Sequence, residues 1–456
     1  MCSSDLLQKA GMPTGVCPEQ WILENPESLL QLQREFVAAG TQILYAPTFT
    51  GNRLKLAGYG LEAELTHINQ ELDGKALVAG DMTMTGEQLY PIGDLLFEEL
   101  VDVYKEQAKA LYEAGVDLFI VETMMSLQET RAAVLAIRET CDLPVMASLT
   151  FGEEGRTLFG NTPEAAAVVL QSLGADAVGM NCSTGPEGMR KNLERMVSYA
   201  AVPVLAKPNA GLPVMVDGEV SYPTTPEAFA AAGKQLAEAG ASLLGGCCGT
   251  TPDHIRQLAE AVRELPEEEK NIPSRRAVRR GLSSERTVLP VGDTELPGIG
   301  EAIDVDTDGD LREELSSGEV DSVTDLAMDQ EDEEAAILNI HIEAEDIDEK
   351  QMMQAIVEEL GQTTECPLCF DSSDPEVIEA GLRVYCGKAL VNSVSGKDES
   401  LRSVLPLCRK YGAAVVGLCL DEQGIPDTWQ GRVAIAQRIV EAAESYGIPR
   451  HDVYID

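Results

Sequence analysis

Short apolar runs of β-forming residues recur along this chain at a steady pace, each followed by a longer stretch with helical periodicity. That alternation restricts the chain to parallel α/β architectures. The first series comprises Gln42 to Phe49, Ala76 to Asp81, Leu118 to Thr123, Pro144 to Phe151, Ala177 to Cys182, Pro203 to Asn209 and Ser242 to Cys247. Helix-like segments fall between them, at Gly86 to Ala114, Ser126 to Thr140, Thr162 to Gly174 and Thr225 to Gly240. In the last, Thr225-Pro226-Glu227 caps and starts the helix and Gly240 ends it. Seven such units predict a (β/α)8 barrel of the TIM type that lacks one strand.

A second series runs through Pro297 to Asp304, Ala336 to Ile342, Pro367 to Ser372, Ala389 to Val394, Ala413 to Asp421 and Asp452 to Asp456. The expected fold is therefore α/β, with two (β/α)8 TIM-type barrels in tandem, the second stopping after about six strands. The rhythm breaks where PEEEK, SRRAVRRG and proline-punctuated polar sequence intervene. Domain boundaries are expected at 1–268 for the first barrel, 269–296 for a linker and 297–456 for the second barrel. Arg275, Arg276, Arg279 and Arg280 read as solvated charges of that connector.

A length of 456 residues at 44% hydrophobic content suffices for two buried cores. The net charge of −43 disfavours nucleic acid and anionic membranes as partners and leaves small molecules and other proteins. Much of the acidity is local, since residues 301–350 hold 20 acids against 2 basic residues. No apolar run reaches the roughly 18 residues of a membrane span, and the N-terminus lacks a signal-peptide pattern. A cytoplasmic location is expected, where the 11 cysteines stay reduced and a cluster of them points to metal or catalysis.

In such barrels the chemistry sits at the C-terminal ends of the strands. Those ends carry Thr48, Asp81, Glu122, Asn181-Cys182, Asn209 and Cys247-Cys248. The pair lies in Gly245-Gly246-Cys247-Cys248-Gly249-Thr250, where glycines let the backbone turn sharply enough for both sulfurs to face one point. Adjacent cysteines bond poorly to each other but make soft ligands for zinc. Cys182, two βα units upstream, is the expected third thiol, and Asn209 is placed to offer an oxygen or a hydrogen bond. The alternative is a set of ordinary core cysteines, to which glycines on both sides would contribute nothing.

GGCCGTTPDHI, with MNCSTGP, PTFTGNRLKL, IVETMMSLQE and AKPNAG upstream of it, resembles the homocysteine S-methyltransferase family from about Leu7 to Glu267. The resemblance implies that Cys182, Cys247 and Cys248 hold Zn2+, which binds and deprotonates the homocysteine thiol. It further implies that Glu122 pairs with the homocysteine ammonium and that Asn209 lies near the metal. A solvated rim carboxylate is the alternative for Glu122. One departure stands out: the family's opening Asp-Gly-x-x-Gly-Thr turn is not found, and the chain begins Met1-Cys2-Ser3-Ser4-Asp5, as though strand 1 were absent.

FDSSDPEVIEAGL, LVNSVSG and the acid of YID resemble the pterin-binding domain of methyltetrahydrofolate methyltransferases, from Gly300 onward. That resemblance implies pterin contacts from Glu301, Asp371, Asn392 and Asp456, with 5-methyltetrahydrofolate as the methyl donor. The family's Gly-Glu-Arg-Ile-Asn appears as Gly300-Glu301-Ala302-Ile303-Asp304, and its Asp-Val-Asn as Asn339-Ile340-His341. The succession of the two halves resembles the cobalamin-dependent methionine synthases. No Asp-x-His-x-x-Gly surrounds any of the 4 histidines, so methylcobalamin is expected on a further region or a separate corrinoid protein. A corrinoid-independent homocysteine S-methyltransferase using betaine or S-methylmethionine, and a non-catalytic zinc- or folate-binding protein, are the competing readings.

Two motifs read as incidental. Asp304-x-Asp306-x-Asp308-Gly309 opens like a calcium loop, but its twelfth position is Leu315 and a strand precedes it. Cys366-x-x-Cys369 has no second pair to complete a metal site.

Overall fold

The computed structural model describes residues 4–13, 16–57, 76–216, 219–266, 278–292 and 297–456. The chain divides into two compact units, Met1–Val278 and Arg279–Asp456. The connector arginines Arg275 and Arg276 lie outside the described residues.

The first unit is built on seven parallel strands: β1 (Ile43–Tyr45), β2 (Leu77–Met82), β3 (Leu118–Met124), β4 (Val145–Leu149), β5 (Ala177–Asn181), β6 (Val204–Lys207) and, after a small antiparallel hairpin of β7 (Val214–Val216) and β8 (Glu219–Ser221), β9 (Leu243–Leu244). They pair in chain order, β1-β2-β3-β4-β5-β6-β9, which is the winding of a TIM-like sheet. The strands sit within or close to the expected apolar runs, but β1 and β9 are only three and two residues long. These two are the sheet's edges, and a cavity of about 500 Å3 lies between them, lined among others by Ile43, Tyr45, Met146, Leu205, Lys207 and Leu243.

Inward-facing Ala79, Leu118, Ile120, Met146, Ala177 and Leu205 form the core inside the sheet. The covering helices start where the caps predict. The side chains of Ser126, Thr162 and Thr225 accept the backbone N–H of Glu129, Ala165 and Ala228, and Gly240 ends its helix at a φ of 125°. The helix expected over Gly86 to Ala114 spans only Phe97–Glu113. Pro91, with no N–H to donate, and the turn at Gly93 hold the preceding residues out of it.

The second unit contains six parallel strands in chain order: β12 (Ile299–Asp304), β13 (Ile337–His341), β14 (Leu368–Asp371), β15 (Leu390–Ser395), β16 (Ala414–Leu418) and β17 (Val453–Ile455). Ahead of them, an antiparallel hairpin of β10 (Gly281–Ser283) and β11 (Val288–Pro290) occupies part of the stretch 269–296 that was expected to be linker. Leu282 is buried against Ile337, Cys369, Leu390 and Ala414, and Ser283 exchanges backbone hydrogen bonds with Lys388. The hairpin thus plugs the N-terminal end of the sheet, and its apolar residues are the physical reason it does not behave as a connector.

Below the same sheet, Lys388 and Asp452 form a buried ion pair at 2.6 Å. Removing one partner strands the other charge away from water. Lys388→Met is therefore expected to destabilise this unit by about 3–5 kcal/mol, read by chemical denaturation of the full chain. An unchanged unfolding profile would show that the pair carries no weight. No helix among the described residues is long and apolar enough to cross a membrane.

Candidate functional site

Three thiols meet at the C-terminal ends of β5 and β9. Cys182 directly follows β5 and holds a left-handed φ of 58°, a costly conformation for a residue with a Cβ. Its backbone N–H donates to the Lys207 carbonyl at 3.1 Å, which ties it to the end of β6. The pair after β9 is tied to the same segment: the Cys247 N–H donates to the Pro208 carbonyl at 2.9 Å, and the Ala210 N–H to the Cys248 carbonyl at 2.9 Å. Asn209 completes the zip, its Oδ1 accepting the Cys248 N–H at 3.1 Å. Gly249 turns the loop at a φ of 77°, and a Cβ there would collide with the Tyr222 ring.

This backbone brings the three sulfurs within 4.8 Å of one another. Cys182 Sγ lies 2.7 Å from Cys247 Sγ and 3.9 Å from Cys248 Sγ, too far for a disulfide of about 2.05 Å. Asn181 Nδ2 donates to Cys247 Sγ at 3.8 Å. Cys247 is held well below the usual thiol range by its contacts with Cys182 and Cys248, helped by the charge of Lys207. Cys182 is pushed up by the contacts with Cys247 and Cys248 and by burial. Cys247 is buried, whereas Cys182 and Cys248 are half-buried. A soft three-sulfur set closed on the inner side and open toward the rim fits zinc with a ligand position left for substrate.

Glu122 ends in the interior and has a partner that the sequence reading did not provide: its Oε2 accepts a hydrogen bond from Lys207 Nζ in a fully buried ion pair. The Lys207 ammonium also lies 3.9 Å from the centre of the Tyr45 ring. Burial works to lower the lysine's pKa, but the Glu122 carboxylate and the other acidic groups around it outweigh burial and raise it well above the usual range. The residue after Glu122, Thr123, has a φ of 59°, and Asn181 holds it from both sides: Oδ1 accepts the Thr123 N–H and Nδ2 donates to its hydroxyl. Register between β3 and β4 shifts at this point. Lys207, Asn181 and Asp81 are thus site residues that sequence reasoning did not commit to. The only signal for them was position at a strand end.

In the second unit the register sets Asp304, His341, Asp371 and Asn392 in one row across β12 to β15. Asp371 Oδ2 accepts Nδ2 of Asn392 at 2.9 Å and Nδ2 of Asn339 at 3.1 Å. Of the four expected pterin residues, Asp371 and Asn392 come together. Glu301 is exposed on β12 beside a register shift, and Asp456 is exposed beyond β17. Asp304, Asp306 and His341 also converge, with His341 Nε2 at 3.6 Å from Asp306 Oδ2. The strand β12 precedes this group, and Asp308 is spent as an N-cap, accepting the N–H groups of Asp310 and Leu311. Neither feature belongs to a calcium loop with entering helix.

Residues 3–262 match the family model described as Homocysteine S-methyltransferase, and residues 307–456 match that described as Pterin binding enzyme. The chain is 31% identical over 459 residues to the methionine synthase of Mycobacterium tuberculosis, and 30% identical over 464 residues to that of Mycobacterium leprae. Each alignment covers 95% of this chain and 38% of the relative, so the chain spans about two fifths of the length of these curated relatives. Among solved structures, the oxidized form of the homocysteine methyltransferase MmuM from Escherichia coli is similar at 22% identity with a TM-score of 0.46, covering 57% of this chain and 93% of that chain.

Proposed function

The chain belongs to the homocysteine S-methyltransferase family, and from that premise we propose that it activates homocysteine at a zinc site for methyl transfer, as part of a methionine synthase that draws its methyl group from 5-methyltetrahydrofolate. The observation that carries this reading is the gathering of Cys182, Cys247 and Cys248 by loops zipped to one another through Pro208, Asn209 and Ala210. Both sheets are read as open forms of (β/α)8 barrels, and the location as cytoplasmic.

Cys182, Cys247 and Cys248 would hold the zinc, which when bound supplies the Lewis acidity that lets a thiol lose its proton at neutral pH. The rest falls to the chain. Asn209 fixes the backbone of Cys248 and Asn181 that of Thr123, so the thiols and Glu122 keep their places without substrate. Glu122 takes the homocysteine ammonium. In the second unit Asp371 and Asn392 face the pterin edge, with Glu301 and Asp456 as further contacts. Methylcobalamin, carried by a corrinoid protein or a further region, would supply the methyl group.

The reading is tested with the zinc-loaded chain, homocysteine and one methyl donor at a time. Methylcobalamin is expected to give methionine, and betaine and S-methylmethionine none. Methionine from either of the latter would replace the proposal with a corrinoid-independent enzyme. No product from any donor, with zinc and homocysteine bound, would leave a binding protein.

A further inference from the structure

The zinc reading leaves one set of buried charges beside the thiols without a complete account. Asp81 lies near the C-terminal end of β2 and Glu122 near that of β3, with 1% and 0% of their surface exposed. The register places Asp81 opposite Ile120, so Glu122 lies two residues further along the neighbouring strand and on the same face. Lys207 reaches Glu122 Oε2 from β6, across the sheet's interior. Glu122 Oε1 and Asp81 Oδ1 are buried and accept no hydrogen bond among the described residues. The hydroxyls of Thr48 and Thr83 donate instead to the backbone carbonyls of Asp81 and Glu122.

Two buried carboxyl oxygens without a donor are costly until a hydrogen-bond donor arrives. Burial, then the nearby Glu122 charge, pushes the Asp81 carboxyl well above the usual carboxylate range. A primary ammonium, with three N–H donors, can satisfy both orphan oxygens at once.

We propose that Asp81 is a second ligand for the substrate ammonium, which seats between Asp81 Oδ1 and Glu122 Oε1 while Lys207 stays on Glu122 Oε2 as a positioning residue. The proposal rests on the homocysteine reading above and adds the group that distinguishes an amino-acid thiol from a plain one. The same cluster lies beside the thiols: Asn181, which holds Thr123 next to Glu122, also donates to Cys247 Sγ at 3.8 Å. One ligand can therefore present sulfur to the thiol site and nitrogen to the carboxylates.

The test compares homocysteine with 4-mercaptobutanoate, the same thiol acid without the amino group, by calorimetric titration of the zinc-loaded full chain. Asp81→Asn keeps the shape and removes the charge. It is expected to weaken homocysteine at least about 10-fold, to leave 4-mercaptobutanoate within about 2-fold, and to keep the zinc content and melting temperature of the parent. Lys207→Met is expected to narrow the ratio of the two dissociation constants, a readout that general loosening of the fold would not move. Equal weakening of both thiols by Asp81→Asn, or of neither, overturns the assignment. A parent chain that binds the two thiols equally also overturns it while sparing the thiol reading. Failure to bind either thiol sinks both.

Discussion

Cys247→Ser is expected to leave the chain without zinc after dialysis against a weak chelator, under conditions in which the parent retains the metal. Cys247 is the most buried of the three thiols and is placed by bonds on both sides, its N–H to Pro208 and its carbonyl to Thr250. It is also the sulfur whose pKa is held well below the usual thiol range by contacts with the other two thiols, helped by the charge of Lys207. A hydroxyl in the same place stays protonated and is a hard, weak donor to zinc. Changing a group that only hydrogen-bonds to a metal ligand costs roughly 10–100-fold in metal affinity, and loss of a ligand should exceed that. Metal analysis and a competitive zinc titration read the result. One zinc retained with parent affinity would remove Cys247 from the centre, and the homocysteine reading would lose its anchor. The serine side chain fits the cavity, so a melting temperature close to that of the metal-free parent separates a lost ligand from a lost fold.

The features legible in the sequence are those written locally. The thiol centre could be read because adjacent cysteines between glycines are chemically conspicuous, and because counting βα units places Cys182 on the same rim. Strand positions followed from apolar runs, and helix starts from Ser126, Thr162 and Thr225. The features that escaped depend on distant partners. Lys207 is one basic residue at the end of a short strand, and its meaning comes from Glu122, 85 positions away. Asn339 looks like a broken motif until its side chain, paired by register with Cys369, is found donating to Asp371 two residues further along the neighbouring strand. The hairpin at Gly281–Ser283 and Val288–Pro290 was hidden for a different reason. Its apolar residues are few and lie among charges, so only Leu282 finding the floor of the second sheet reveals its role.

Asp371→Ala is expected to weaken folate binding by the full chain about 10- to 100-fold, the range given by losing hydrogen bonds to a charged acceptor. The geometry explains why this acid should dominate. Oδ2 is fixed by two amides, from Asn339 on one neighbouring strand and Asn392 on the other, while Oδ1 faces His341 at 3.9 Å. The carboxylate is thus oriented by the sheet before any ligand arrives, in a row with Asp304, His341 and Asn392 at the strand ends. A pterin edge presents neighbouring N–H donors, which a fixed, charged acceptor takes up better than a mobile one. Alanine also strips two amides of their acceptor, so Asp371→Asn is the companion variant: it keeps the shape and loses the charge. A fluorescence titration with methyltetrahydrofolate should find both variants weakened, alanine the more. Affinity equal to the parent in both would place the pterin elsewhere. Weakening in alanine alone would assign Asp371 to holding the strands in register and leave recognition of the ring to Asn392.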